Sequence, residues 1–330
     1  MAWYNTRKRL APNHESVMRN VLNDILPVFQ QMLVLMFTIV LGYIGGKTKV
    51  MSIENNKPLS KLVNCITNPC GVLHSALCVE HVLANGEVLK LIGITVAMYI
   101  GLILIAQLIP KLLHVRVDQK GQYKFMMIFS NVGYMGMPVV RAVFGEEATF
   151  CVSIFIMVFY LFIYTYGIRL ICGSQQGSGF AWKRMITPMT VCSLLGIIGY
   201  LAGVQVGGVI ENTLSTVSKV TTPCAMLIIG CALSALPLKS VFSNWRIYVV
   251  ALLKLLVIPV AVYLCLRPIM GDSMVLGVMV VIMAMPIATN FTMLSAQYGG
   301  DQKIAASSVF LTTLLSVITI PVLAGILKMG

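Results

Sequence analysis

Charged residues fall in clusters along this chain, and long uncharged apolar runs lie between the clusters. The charge-free runs are Ile25–Gly46, Leu62–Val79, Leu91–Pro110, Phe125–Val140, Ala148–Ile168, Met185–Ile210, Val220–Leu238, Ser273–Gly300 and Ile304–Leu327. One further apolar stretch, Ile247–Leu266, holds a single charge at Lys254. A helix needs about 20 mostly apolar residues to cross a bilayer. The pattern therefore predicts an all-α integral membrane protein with ten transmembrane helices. Residues 1–24, with Arg7, Lys8, Arg9 and Pro12, read as a polar tail. The run that follows is a full span, not the short core of a cleavable signal.

Composition strengthens this reading. Hydrophobic residues make up 58% of the 330 and charged residues only 11%, whereas soluble domains carry about 25% charged residues to solvate their surfaces. Soluble enzymes, disordered chains and secreted disulfide scaffolds are all disfavoured. The 9 cysteines are odd in number, lack CxxC spacing and read as small buried hydrophobes. The 4 histidines show no metal-ligand spacing, and the 21 methionines form no ladder with them. The net charge of +13 becomes a topology signal rather than a sign of a nucleic-acid partner. With ten spans, 14 Lys and Arg, among them Lys120 and Arg184, fall on one loop face and 8 on the other. The richer face should be cytoplasmic. Both termini then lie outside a cell membrane that the chain crosses many times.

The chain also repeats itself. Thr67-Asn68-Pro69-Cys70 matches Thr221-Thr222-Pro223-Cys224, and Phe144-Gly145-Glu146-Glu147 matches Tyr298-Gly299-Gly300-Asp301 at the same offset. Leu108-Ile109-Pro110 and Leu266-Arg267-Pro268 match at nearly that offset. Three matches in one order predict two five-helix repeats, 25–172 and 185–330, joined by a cytoplasmic linker 173–184. Five is odd, so the second copy is inverted, as in many secondary transporters. Such carriers bind at the midplane, where matching helices are broken by Gly and Pro. Span four carries Asn131, Gly133, Gly136 and Pro138, and span nine carries Pro286, Thr289 and Asn290. Proline removes a backbone donor, and the groups it frees must line a wet or protein-walled cavity. The bland alternative is a kinked helix satisfied by its neighbours.

At these residues the sequence resembles the auxin efflux carrier family, which includes plant PIN-type carriers and bacterial malate/malonate permease-like proteins. The resemblance rests on Asn131-Val132-Gly133-Tyr134-Met135-Gly136-Met137-Pro138 with Phe144-Gly145-Glu146-Glu147, on Pro286 to Gly299, on Ala305-Ala306-Ser307-Ser308-Val309 onward to Pro321, and on Lys254 with Pro259. It runs from about Leu26 to the C-terminus. Val132 stands where plant-type members have Thr, and their long cytoplasmic loop is absent. The resemblance implies spans four and nine crossing at their prolines, elevator-like exchange of a transport domain against a scaffold, and often a homodimer. It also implies a small organic anion as substrate, an indole carboxylate in plant relatives and dicarboxylates in bacterial ones.

Further candidates are polar groups within the spans. Asn68 and Thr222 flank the paired prolines of spans two and seven and can hold a carboxylate without a full charge. Their neighbours Thr67 and Thr221 are read instead as re-satisfying carbonyls that the prolines free. Lys219 precedes Pro223 by four residues and is either a binding cation or a side chain snorkelling to the outer interface. Lys254 is read as snorkelling to headgroups or touching the scaffold. Asp and Glu are absent from the spans, so no buried carboxylate is available as a relay. That favours uniport, or coupling to H+ or Na+ through neutral groups. No cofactor is expected, and no enzyme constellation survives: Ser153, Ser193 and Ser307 lack His and acid partners, and Gly46-Lys47-Thr48 lacks the remaining P-loop glycine. The alternative to a carrier is a membrane receptor that binds a small carboxylate without moving it.

Overall fold

The computed structural model describes residues 14–78, 85–145, 147–173, 186–271 and 273–329. Among them every regular element is helical, and the one β-contact is an isolated bridge. Helix α1 (His14–Lys47) begins inside the segment expected as a polar tail, so residues 14–24 are its first turns. The linker expected at 173–184 lies, apart from Gly173, outside the described residues.

Helix α2 (53–77) is built from Ile53–Leu62, a π-turn Val63–Thr67 and Asn68–Leu77. Helix α3 is Asn85–Ala106. Helix α4a (Lys120–Ile128) is separated from α4b (Met137–Phe144) by an extended stretch and a π-turn, Val132–Gly136. Helix α5 (147–172) comprises Glu147–Phe162, the π-turn Ile163–Gly167 and Ile168–Cys172. Helices α6 (Pro188–Leu201), α7a (Gly208–Lys219) and α7b (Thr221–Ser234) follow. Helix α8 (245–270) runs through Trp245–Leu252, the π-turn Leu253–Val257 and Ile258–Met270. Helices α9a (Met274–Met283), α9b (Asn290–Tyr298) and α10 (Gln302–Met329) complete the set.

Among the described residues six helical stretches are long and apolar enough to cross a membrane: Phe29–Lys47, Gly86–Leu112, Phe150–Cys172, Gly208–Ser234, Trp245–Met270 and Gln302–Ile326. Ten such helices were expected. The apolar runs two, four, six and nine form helices that are shorter, more polar or interrupted, so an uncharged run is longer than the helix it makes.

The interruptions have a chemical cause. Three of the π-turns end two residues before a proline: Val63–Thr67 before Pro69, Val132–Gly136 before Pro138, and Leu253–Val257 before Pro259. In an α-helix the proline ring collides with the carbonyl four residues back, here Cys65, Tyr134 or Leu255. Widening that turn to i→i+5 bonding moves the carbonyl aside, and the helix continues.

Side chains sort by surroundings. Along α1, Val34, Phe37 and Leu41 are 57%, 64% and 60% exposed, while Met32, Leu35 and Ile39 are buried. Exposed apolar groups at this spacing suit lipid. The buried face packs along α7b through glycines: a Cβ on Gly42 would lie 2.4 Å from the Leu227 carbonyl oxygen, and one on Gly230 would lie 2.0 Å from that of Ile39. Small residues of this kind let membrane helices approach backbone to backbone.

Candidate functional site

Two broken helices meet in the middle of the molecule. Helix α4a stops at Ile128 because Phe129 turns extended (φ −101°, ψ 111°), and α9a stops at Met283. The two breaks lie antiparallel, with Ser130 bridging Ile287. The Asn131 N–H donates to the Pro286 carbonyl at 2.8 Å, and the Ala288 N–H donates to the Phe129 carbonyl at 3.0 Å. The Asn131 Nδ2 donates to Thr289 Oγ1 at 2.9 Å, and the Ile287 N–H donates to Thr312 Oγ1 of α10 at 3.2 Å. Backbone polar groups freed by the breaks are thus paired inside protein, as a membrane interior requires.

This corrects the crossing implied by the resemblance. Pro286 is at the crossing, but Pro138 is not. The chain leaves helical geometry at Phe129–Asn131, where Asn131 has φ −78° and ψ 64°. Pro138 lies seven residues on, in the first turn of α4b, behind a π-turn that accommodates it. Gly136 belongs to that π-turn, and its N–H closes onto the Asn131 carbonyl at 3.0 Å.

Beside the crossing runs a layer of neutral amides and phenols. Asn68 Nδ2 donates to the Tyr134 hydroxyl at 2.5 Å, and the Tyr160 hydroxyl donates to Asn68 Oδ1 at 3.2 Å. The Tyr164 hydroxyl donates to Asn64 Oδ1 at 2.7 Å and accepts from Asn290 Nδ2 at 3.4 Å. Asn64 Nδ2 in turn donates to Gln297 Oε1 at 3.2 Å. The layer links α2 to the π-turn before α4b, to α5 and to α9b.

A cavity abuts each end of this layer. One, of about 240 Å³, is lined by Asn68, His74, Gly133, Tyr134, Arg141, Ser153, Tyr160, Thr221 and Thr222 among others. The second, of about 270 Å³, is lined by Asn64, Cys65, Tyr164, Thr187, Gln297 and Tyr298 among others. Along α2, Asn64 and His74 are ten residues apart, roughly 15 Å at 1.5 Å per residue. The cavities therefore take successive stretches of α2, Asn64 and Cys65 in one and Asn68 to Ser75 in the other.

The residues singled out in the sequence divide between these places. Asn131, Pro286, Thr289 and Asn290 are buried together at the crossing and line neither cavity. Asn131 keeps one buried acceptor, Oδ1, without a partner. Asn68, Gly133 and Thr222 line the first cavity. Thr221 is turned inward, its hydroxyl donating to Thr67 at 2.7 Å. Lys219 ends α7a, exposed, and lines neither cavity. Lys254 is not a snorkelling side chain: it is 0% exposed, and its Nζ donates to the Met127 carbonyl at 2.9 Å. Asn64, Tyr160, Tyr164, Gln297, His74 and Arg141 escaped the sequence reading. A usable signal existed in paired spacing, since Asn64 and Asn68 on α2 face Tyr160 and Tyr164 on α5, each pair one helical turn apart. Among the described residues no group of His, Cys, Asp and Glu is placed to hold a metal.

Apolar helices broken over a polar crossing, with a cavity on each side of a polar layer, suit a membrane transport protein. The sequence profile of the family described as membrane transport protein matches residues 27–180 and 178–324. The chain belongs to that family, the auxin efflux carriers. It is similar to an uncharacterised transporter of Methanocaldococcus jannaschii, 25% identical over 307 residues, which cover 89% of this chain and 97% of the relative. It is also similar to a Rhizobium meliloti protein provisionally named a malonate transporter, 26% identical over 217 residues, which cover 62% of this chain and 67% of that protein. The family and both relatives are transporters, not enzymes.

Proposed function

We propose that the chain is a secondary carrier of small organic anions, mono- or dicarboxylates, working by an elevator-like movement. The observation that carries this reading is the pair of cavities on either side of one polar layer. Both cavities fall on the same seam, with α2, α6 and α7 on one side and α4, α5 and α9 on the other. A slide along that seam would close one cavity and open the other.

In this reading ten helices form two inverted five-helix repeats, 25–172 and 185–330. The matching breaks before α4b and α9b and the matching prolines of α2 and α7b support it. The positive dipole end of α9b at the crossing suits a carboxylate. Thr289 and Asn290 begin that helix, and Asn131 steadies Thr289. Asn68, Gly133 and Thr222 would receive the anion in the first cavity, where Arg141 and His74 add basic groups. A volume near 240 Å³ is below that of drug-sized sites and fits a small acid. The name of the Rhizobium relative makes malonate the first candidate. Lys219 and Pro138 have no direct contact role here. The protein is placed in the cell membrane with both termini outside, and a homodimer is the expected assembly.

The test is a thermal-shift screen of mono- and dicarboxylates on the purified protein, followed by counterflow in liposomes. An acid that raises the unfolding midpoint and exchanges across the membrane is the expected result. Binding without exchange would instead make the protein a receptor.

A further inference from the structure

Lys254 is the one charged side chain in the buried set of described residues, and it lines neither cavity. It sits on the π-turn of α8 and reaches across to the last turn of α4a, where its ammonium meets the Met127 carbonyl. The end of a helix gathers carbonyls without partners and carries about half a negative charge. An uncompensated ammonium in a membrane interior is costly, so its retention calls for a reason.

Capping alone is not that reason. The other broken helix, α9a, ends on the Met283 carbonyl, which takes the Ser130 hydroxyl at 3.5 Å. A neutral hydroxyl therefore suffices at one break, while a full positive charge is kept at the other. In carriers with broken helices, half-helix C-terminal ends and unwound carbonyls are where coupling cations bind. We propose that the Lys254 ammonium is a tethered cation in a cation site at the C-terminal end of α4a, so that anion binding at the crossing needs no sodium. The site would take a small monovalent cation if the side chain were removed. The positive charge has no buried carboxylate beside it among the described residues, and it is left to balance the α4a end and the incoming anion.

The experiment compares the full chain with Lys254→Ala and Lys254→Gln. Unfolding midpoints are read in chloride salts of sodium, lithium, ethylammonium and, as the bulky control, N-methylglucamine at equal ionic strength. Malonate exchange is read in liposomes under the same salts. Wild-type midpoint and exchange should be the same in all four. Lys254→Ala should lose at least tenfold in exchange, and ethylammonium should raise its midpoint by roughly 2–6 °C and restore part of the flux. Lys254→Gln keeps an N–H for Met127 without the charge and should stay impaired.

Wild-type exchange by Lys254→Gln would overturn the proposal, since the hydrogen bond alone would then suffice. So would a folded Lys254→Ala whose midpoint ignores every small cation. Should Lys254→Ala not fold, the glutamine variant and the wild type decide, because a sodium requirement in the wild type is equally fatal. The midpoint measurements do not depend on the cargo, so a mistaken substrate class would leave them readable.

Discussion

Asn131 joins the two broken helices twice, through its backbone N–H to Pro286 and its amide to Thr289. Losing the amide would leave Thr289 unpaired at the start of α9b, at a cost of about 1–3 kcal/mol. Asn131→Ala should thus weaken malonate binding roughly 5- to 150-fold while the protein still folds, as read by thermal-shift titration. Asn290→Ala should do less, since its bond to Tyr164 is long at 3.4 Å. Unchanged affinity in Asn131→Ala would remove the crossing from the binding site. Asn131 and Asn290 were legible in the sequence because an amide in an apolar run is conspicuous. Tyr160 and Tyr164 were not, because a phenol that carries a hydrogen bond looks the same in a sequence as one that merely packs. The snorkelling half of the Lys254 reading failed for a related reason: a lysine two turns into a helix can reach either the headgroups or the interior. The carbonyl that draws it inward lies 127 residues away.

At the scale of elements, the apolar runs located the helices and the prolines marked where they are disturbed. The kind of disturbance stayed hidden. Pro69, Pro138 and Pro259 each sit behind a π-turn in a helix that continues, whereas Pro286 lies in the non-helical break between α9a and α9b, beside the bridged Ile287. The difference comes from tertiary pairing: the Pro286 segment is held by the bridge of Ile287 to Ser130 and by the Asn131 N–H on the Pro286 carbonyl. The glycine seam of α1 and α7b gives a second test. Gly230→Ala forces a Cβ to 2.0 Å from the Ile39 carbonyl oxygen and should lower stability by about 1–3 kcal/mol, seen as a fall in the unfolding midpoint. Gly101→Ala in α3 meets nothing within 4 Å and should hold or raise it, because alanine restricts the unfolded helix.

For the molecule as a whole, the ten-helix inverted arrangement predicts sidedness. Cysteines placed at Asp118 and Val209 in a cysteine-free background should label from opposite sides of the membrane, the first from the cytoplasm; labelling of both from one side would sink the arrangement. The layer of asparagine and tyrosine between the cavities also has an electrical meaning. Where water fills a cavity, it carries the potential of its own compartment inward. The voltage across the bilayer then falls over the polar layer between the cavities instead of over the full hydrocarbon thickness of about 30 Å, which raises the local field. Each elementary charge moved through that layer exchanges about 2.3 kcal/mol with the membrane per 100 mV. With Lys254 fixed in place of a mobile ion, nothing travels along to cancel the charge of the cargo. Transport of a dianion would then register as current, with an inside-negative voltage expelling it twice as strongly as a monoanion.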